Sequence, residues 1–139
     1  MINANYLIFL IISSQFTNQG INTIGYRFTC SIFRPWCANI TLFAHTPSGE
    51  RREFLTHNAC YGGGAYEEHD MLGPVVADKD IVVNGTFELT AHVRHTCTYS
   101  GKPHCSTYLK NKFEASTNNF IKLYADLHNQ GAPDKCITD

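Results

Sequence analysis

Two-residue alternation is strongest at residues 86–96 (TFELTAHVRHT). There Phe87, Leu89, Ala91 and Val93 fall on one side and Thr86, Glu88, Thr90, His92 and Arg94 on the other. A period of two belongs to a half-buried β-strand, because successive side chains of a strand point to opposite faces. Asn84-Gly85, just ahead of it, is a hairpin dipeptide, since both central residues of a type I′ turn need positive φ. Residues 24–33 (IGYRFTCSIF) and 37–45 (CANITLFAH) are rich in aromatic and β-branched residues, and they predict an antiparallel pair joined at Arg34-Pro35. A turn at residues 46–50 (TPSGE) leads to a short strand over 52–57, and Gly62-Gly63-Gly64 halts regular structure between 58 and 66. Residues 75–83 alternate poorly around Asp78, Lys79 and Asp80, whereas 104–115 predict a strand returning from the 98–104 turn. Residues 118–129 carry two periods at once. Phe120, Leu123, Tyr124 and Leu127 recur at helical spacing, with Asn118 as N-cap and Gly131 as stop, while Ile121, Leu123, Ala125 and Leu127 alternate. A strand is preferred, because the rest of the chain predicts β-structure and a lone helix has no partner to pack on. Short strands with turns about every 8–12 residues predict an all-β sandwich or barrel, with an antiparallel β-sandwich as the expected fold.

Residues 6–12 (YLIFLII) form an uncharged apolar run, too short to span a bilayer, which takes roughly 20 helical residues. The run has the length of a secretory h-region, and residues 13–20 (SSQFTNQG) supply a polar c-region, although no Lys or Arg precedes it. The expected organisation is a signal peptide over residues 1–20 and a single domain over 21–139. The six cysteines, Cys30, Cys37, Cys60, Cys97, Cys105 and Cys136, are an even set suited to disulfides in an oxidising compartment. Cys97 and Cys105 flank a turn-like TYSGKPH segment, and strands leaving that turn are expected to bring these two sulfurs together. The other four are left unassigned. Asn39-Ile40-Thr41 and Asn84-Gly85-Thr86 both satisfy the glycan-acceptor pattern, which agrees with an extracellular destination.

Charge is close to balanced, with 11 basic and 12 acidic side chains. A nucleic-acid partner needs a basic footprint and an anionic membrane a polybasic patch, and the chain has neither. No second long apolar run follows the leader. Among the seven histidines, His92 and His95 lie three apart, which on a strand puts them on opposite faces. His95, His104 and Cys97 could converge at the turn, but a disulfide-bonded cysteine is no thiolate ligand. No C-x-x-C, H-E-x-x-H or G-x-S-x-G pattern occurs. Glu67, Glu68 and Asp70 surround His69, an arrangement open to acid–base chemistry or calcium but expected as a solvated loop. Trp36 is expected to plug one end of the sandwich, and Trp36, Tyr61 and Tyr66 form a candidate patch there. No cofactor and no catalytic residue is assigned.

Three stretches resemble the transthyretin-like family of secreted nematode proteins. They are residues 25–30 (GYRFTC) with the ANITLF strand at 38–43, residues 84–89 (NGTFEL), and His95-Thr96-Cys97 with Lys102-Pro103-His104-Cys105 and later Asn119-Phe120-Ile121. The likeness runs from about Gly25 to Leu127. It implies a seven- or eight-stranded sandwich of transthyretin-like or immunoglobulin-like layers, secretion, and an extracellular binding role. A lipid or other apolar ligand, or an extracellular surface protein, would be the partner. A hydrolase among the relatives of transthyretin uses a C-terminal Tyr-Arg-Gly-Ser motif, and this chain ends DKCITD instead. The expected function is therefore binding. A secreted hydrolase with His69 or His95 as base, and a secreted effector or structural protein, stand as alternatives.

Overall fold

The computed structural model describes residues 19–62 and 67–136, without the side chains of 67–74 and 109–110. The apolar leader at 6–12 and Tyr66 lie outside the described residues. Among the described residues seven strands form: β1 (Asn22–Thr29), β2 (Trp36–His45), β3 (Arg51–Tyr61), β4 (Glu67–Val75), β5 (Thr86–His95), β6 (His104–Glu114) and β7 (Asn119–Asp126). Two short 3-10 turns, Lys79–Ile81 and Pro133–Lys135, complete the elements, with no α-helix among the described residues. No described helix is long and apolar enough to cross a membrane.

The strands make a three-stranded sheet in the order β4-β1-β7 and a four-stranded sheet in the order β3-β2-β5-β6. Their buried residues belong to one hydrophobic cluster. Ile24, Tyr26, Phe28, Ile121 and Leu123 come from the first sheet, and Trp36, Ile40, Leu42, Phe87, Leu89 and Val93 from the second. The alternation of β5 places Phe87, Leu89, Ala91 and Val93 inward as expected, and His95 continues that buried face. Asn84 (φ 50°) and Gly85 (φ 76°) make the positive-φ turn ahead of β5, closed by paired hydrogen bonds between Val83 and Thr86. The ambiguous segment is strand β7.

The connections depart from expectation. β1 and β2 are not a hairpin: the 30–35 link carries the chain from one sheet to the other, because both strands bury an apolar face and each faces the shared core from its own layer. β7 enters the three-stranded sheet parallel to β1, with Asn22 opposite Asn119 and Thr29 opposite Asp126, so the sheet is not wholly antiparallel. β7 arrives from the other sheet through a short turn at 115–118, in which Thr117 Oγ1 and Asn119 Nδ2 donate to the Glu114 carbonyl. β3 continues through Asn58–Tyr61, where no regular element was expected, because pairing of Asn58 through Tyr61 with Asn39 through Trp36 and the Cys37–Cys60 bridge hold it to β2. Residues 67–70, expected as a loop, begin β4, opposite Thr29 through Tyr26 on β1.

All six cysteines are paired and none is free. The pairs are Cys30–Cys97, Cys37–Cys60 and Cys105–Cys136. The expected Cys97–Cys105 bridge does not form, because the two residues are out of register. Cys105 sits within the β5–β6 ladder opposite Arg94, whereas Cys97 lies beyond the last pair, His95 with His104. Cys97 instead ties the end of β5 to the end of β1 across the core, and Cys105 takes the C-terminal segment.

Candidate interaction surface

The outer face of the three-stranded sheet carries unburied apolar side chains. Along β7 the inward residues Ile121 and Leu123 are buried, so Phe120 and Tyr124 stand outward, 54% and 61% exposed. They share that face with Lys122, whose ammonium lies 5.2 Å from the centre of the Phe120 ring. Ile21 and Val76, both exposed, flank the same end of the sheet, where Asn22 pairs with Val75 and with Asn119. The register puts Arg27 beside Tyr124 and the side-chain-less Gly25 beside Lys122. Two exposed aromatic rings with cationic neighbours thus share the outer side of β7 and β1.

A second cluster lies at the loop end stapled by Cys30–Cys97. Ser31 Oγ is hydrogen-bonded to His128 Nδ1, and His128 Nε2 lies 2.7 Å from the Tyr99 hydroxyl. The His128 backbone N–H donates to Asp126 Oδ1 at 3.1 Å. These residues come from three separate loops, and no spacing in the sequence relates them.

Histidines 92 and 95 do take opposite sides of β5. His92 Nε2 faces the Lys135 carbonyl at 3.4 Å. His95 is only 1% exposed, and neither ring nitrogen has a hydrogen-bond partner of good geometry. Burial, and secondarily the neighbouring His104, lower its pKa to about 4 against the opposing pull of the Gln130 carbonyl. The His95 and His104 rings meet edge-on, 6.4 Å between centres. No group of three or more potential ligands for a metal occurs among the described residues. A ring so enclosed offers no accessible base. The side chains of Glu67, Glu68, His69 and Asp70 lie outside the described residues. Their backbone is strand, and a strand does not wrap neighbouring side chains round one ion as a loop does.

Trp36 is 1% exposed, its ring 4.5 Å from that of half-buried Tyr61. It is a core plug, as expected, so Trp36 offers no surface to the candidate patch, whose third member Tyr66 lies outside the described residues. The two sequons differ in setting. Asn84 is exposed at its turn, whereas Asn39 is half-buried in the middle of β2, its amide donating to Asn58 Oδ1.

The molecule is a small, disulfide-stapled, two-sheet β domain. Residues 26–139 match the family described as Caenorhabditis elegans protein of unknown function (DUF870), and the chain belongs to that family. The match gives no link to the transthyretin-like proteins. No curated protein and no solved structure matches the chain.

Proposed function

We propose that this is a secreted β-sandwich of transthyretin-like layers that works by binding an extracellular surface protein through its three-stranded sheet. The observation that carries the proposal is the pair of exposed aromatic rings, Phe120 and Tyr124, on one face of β7 with Lys122 between them, amphipathic groups of the kind that anchor protein interfaces. The complete pairing of six cysteines supports maturation in an oxidising compartment. The seven strands, divided three and four, support the sandwich. A lipid would use the same face, with Lys122 and Arg27 towards its headgroup, and vesicle sedimentation separates the two partners. Binding of labelled protein to extracellular surfaces of its host should be lost in Phe120→Ser/Tyr124→Ser. Stability should move by no more than about 0.5 kcal/mol, because both residues are exposed. Undiminished binding by that variant defeats the proposal.

A secreted hydrolase has one observation in its favour, the Ser31–His128–Tyr99 chain, in which a hydroxyl meets an imidazole as a nucleophile meets its base. Covalent labelling of Ser31 by a fluorophosphonate, abolished in His128→Gln, is its test, and an unlabelled Ser31 removes it.

A further inference from the structure

The outer face of the four-stranded sheet is laid out in rows of hydrogen-bonding side chains. Asn58, Asn39 and Arg94 are register partners across β3, β2 and β5, and so are Thr56, Thr41 and His92. The rows are knitted together: Thr41 Oγ1 donates to Asn39 Oδ1 and lies 3.1 Å from Thr56 Oγ1. Cys105 of β6 bounds one side, beneath the C-terminal segment. Cys136 is bonded to Cys105, and Cys105 and Ala132 exchange backbone hydrogen bonds. The opposite rim is Arg51, its guanidinium 4.1 Å above the Phe43 ring. Between them lies an open groove of about 490 Å³. Its lining offers amide, hydroxyl, guanidinium, imidazole and carboxylate groups with a single aromatic edge, donors and acceptors of the kind saccharide hydroxyls require.

Asn39 belongs to that lining and is also the acceptor residue of a sequon. We propose that the groove is a saccharide bed, occupied by the N-linked glycan that Asn39 itself carries. The glycan on Asn84 is then a free appendage of an open turn, and the two sequons serve different ends. This rests on the secretory maturation argued above. Transfer forms a bond from Asn39 Nδ2 to the anomeric carbon of a lipid-pyrophosphate-linked oligosaccharide. It breaks that carbon's bond to the pyrophosphate oxygen and releases one amide proton. The second Nδ2 proton stays available to Asn58 Oδ1, so the cross-strand bond survives modification. The first sugar is thereby held over β2, with Arg94 and His92 on one side and Asn58 and Thr56 on the other.

The test compares the full chain with its own N-terminus and the full chain behind a host secretory leader, both made in a eukaryotic secretory cell. Peptide-N-glycosidase is applied to the native protein and each site is followed by mass spectrometry. Asn84 should be released readily. Asn39 should be released at least about tenfold more slowly until the protein is reduced and unfolded, since a packed group reacts only on local opening. In His92→Ala/Arg94→Ala the Asn39 rate should rise towards that of Asn84, with the Asn84 rate and the unfolding midpoint unchanged. Equal release from the two sites in native protein overturns the saccharide bed. An unmodified Asn39 in a chain whose Asn84 is modified does the same. If only the chain behind the host leader is glycosylated, secretory maturation by its own N-terminus fails, and the groove is judged on the second chain.

Discussion

His95 concentrates a residue-level cost in one place. Its ring is enclosed, both nitrogens lack a partner of good geometry, and His104 adds a like charge whenever both are protonated. The folded-state pKa of about 4 lies below the ordinary 6.5, so between those values the unfolded chain takes up the proton more readily. Stability is complete above pH 6.5 and falls as the pH drops towards 4. At about 1.4 kcal/mol per pKa unit the loss approaches roughly 3 kcal/mol at the acid end. Urea unfolding followed by the sole tryptophan, Trp36, should show that loss, and His95→Leu should flatten it. An unchanged acid dependence in the variant would assign the loss to other groups. Gly131 is a second sensitive position. It has φ +74°, and a Cβ there would stand 2.5 Å from the Cys105 carbonyl oxygen and collide with Ser106 Oγ. Gly49, at φ +86°, has nothing within 4 Å of its Cβ position. Gly49→Ala should therefore cost about 1 kcal/mol for backbone alone, and Gly131→Ala about 2–3 kcal/mol. Thermal unfolding of the two variants side by side checks the difference.

At the scale of the element, the C-terminal segment behaves as a strap over β6. It is held by the Cys105–Ala132 backbone pair, by Cys105–Cys136 and by the His104 Nδ1 contact to the Gln130 carbonyl at 3.1 Å. Because Cys105 both lines the groove containing Asn39 and holds the strap through Cys136, replacing the two cysteines by Ala should loosen both. Amide exchange should accelerate in β6 and around His92 while the three-stranded sheet keeps its protection, and uniform acceleration would refute a local role. How far the elements can be read from sequence depends on what decides each one. β5 is legible because one of its faces is core and the other is solvent, so its pattern is its burial. β7 is nearly illegible between helix and strand, since Leu123 and Leu127 satisfy both periods; parallel pairing with β1 decides it. β4 has a polar start and a Gly-Pro pair, and it is a strand because β1 offers an edge, a long-range fact that its own residues do not encode. The exposure of Phe120 and Tyr124 is hidden by that same ambiguity, for on a helix those two side chains would have belonged to the buried stripe. The Ser31–His128–Tyr99 chain depends on loop proximity that no spacing reports.

Across the whole molecule the three disulfides divide the labour between layers and faces. Cys30–Cys97 joins the end of β1 to the end of β5, one sheet to the other, and both residues are buried. Cys105–Cys136 fixes the strap, with Cys105 buried beneath it. Cys37–Cys60 joins directly opposed residues of β2 and β3 within one sheet, and both are exposed. Loop lengths order them in the same way, with separations of 67, 31 and 23 residues. The chain-entropy contributions run from roughly 4.5 down to roughly 3.5 kcal/mol, too similar to separate the bridges by themselves. Access is what separates them. A thiolate must reach a sulfur along the bond it breaks, so an exposed bridge exchanges from the native state while a buried one waits for opening. Graded reduction with trapping of free thiols should therefore label Cys37 and Cys60 first, with Trp36 fluorescence unchanged. Cys105 and Cys136 should follow as the strap lifts, and Cys30 and Cys97 should appear only with global unfolding. Labelling of Cys30 or Cys97 in protein that keeps its native fluorescence would mean that the two sheets part without unfolding, contrary to a core shared by both layers.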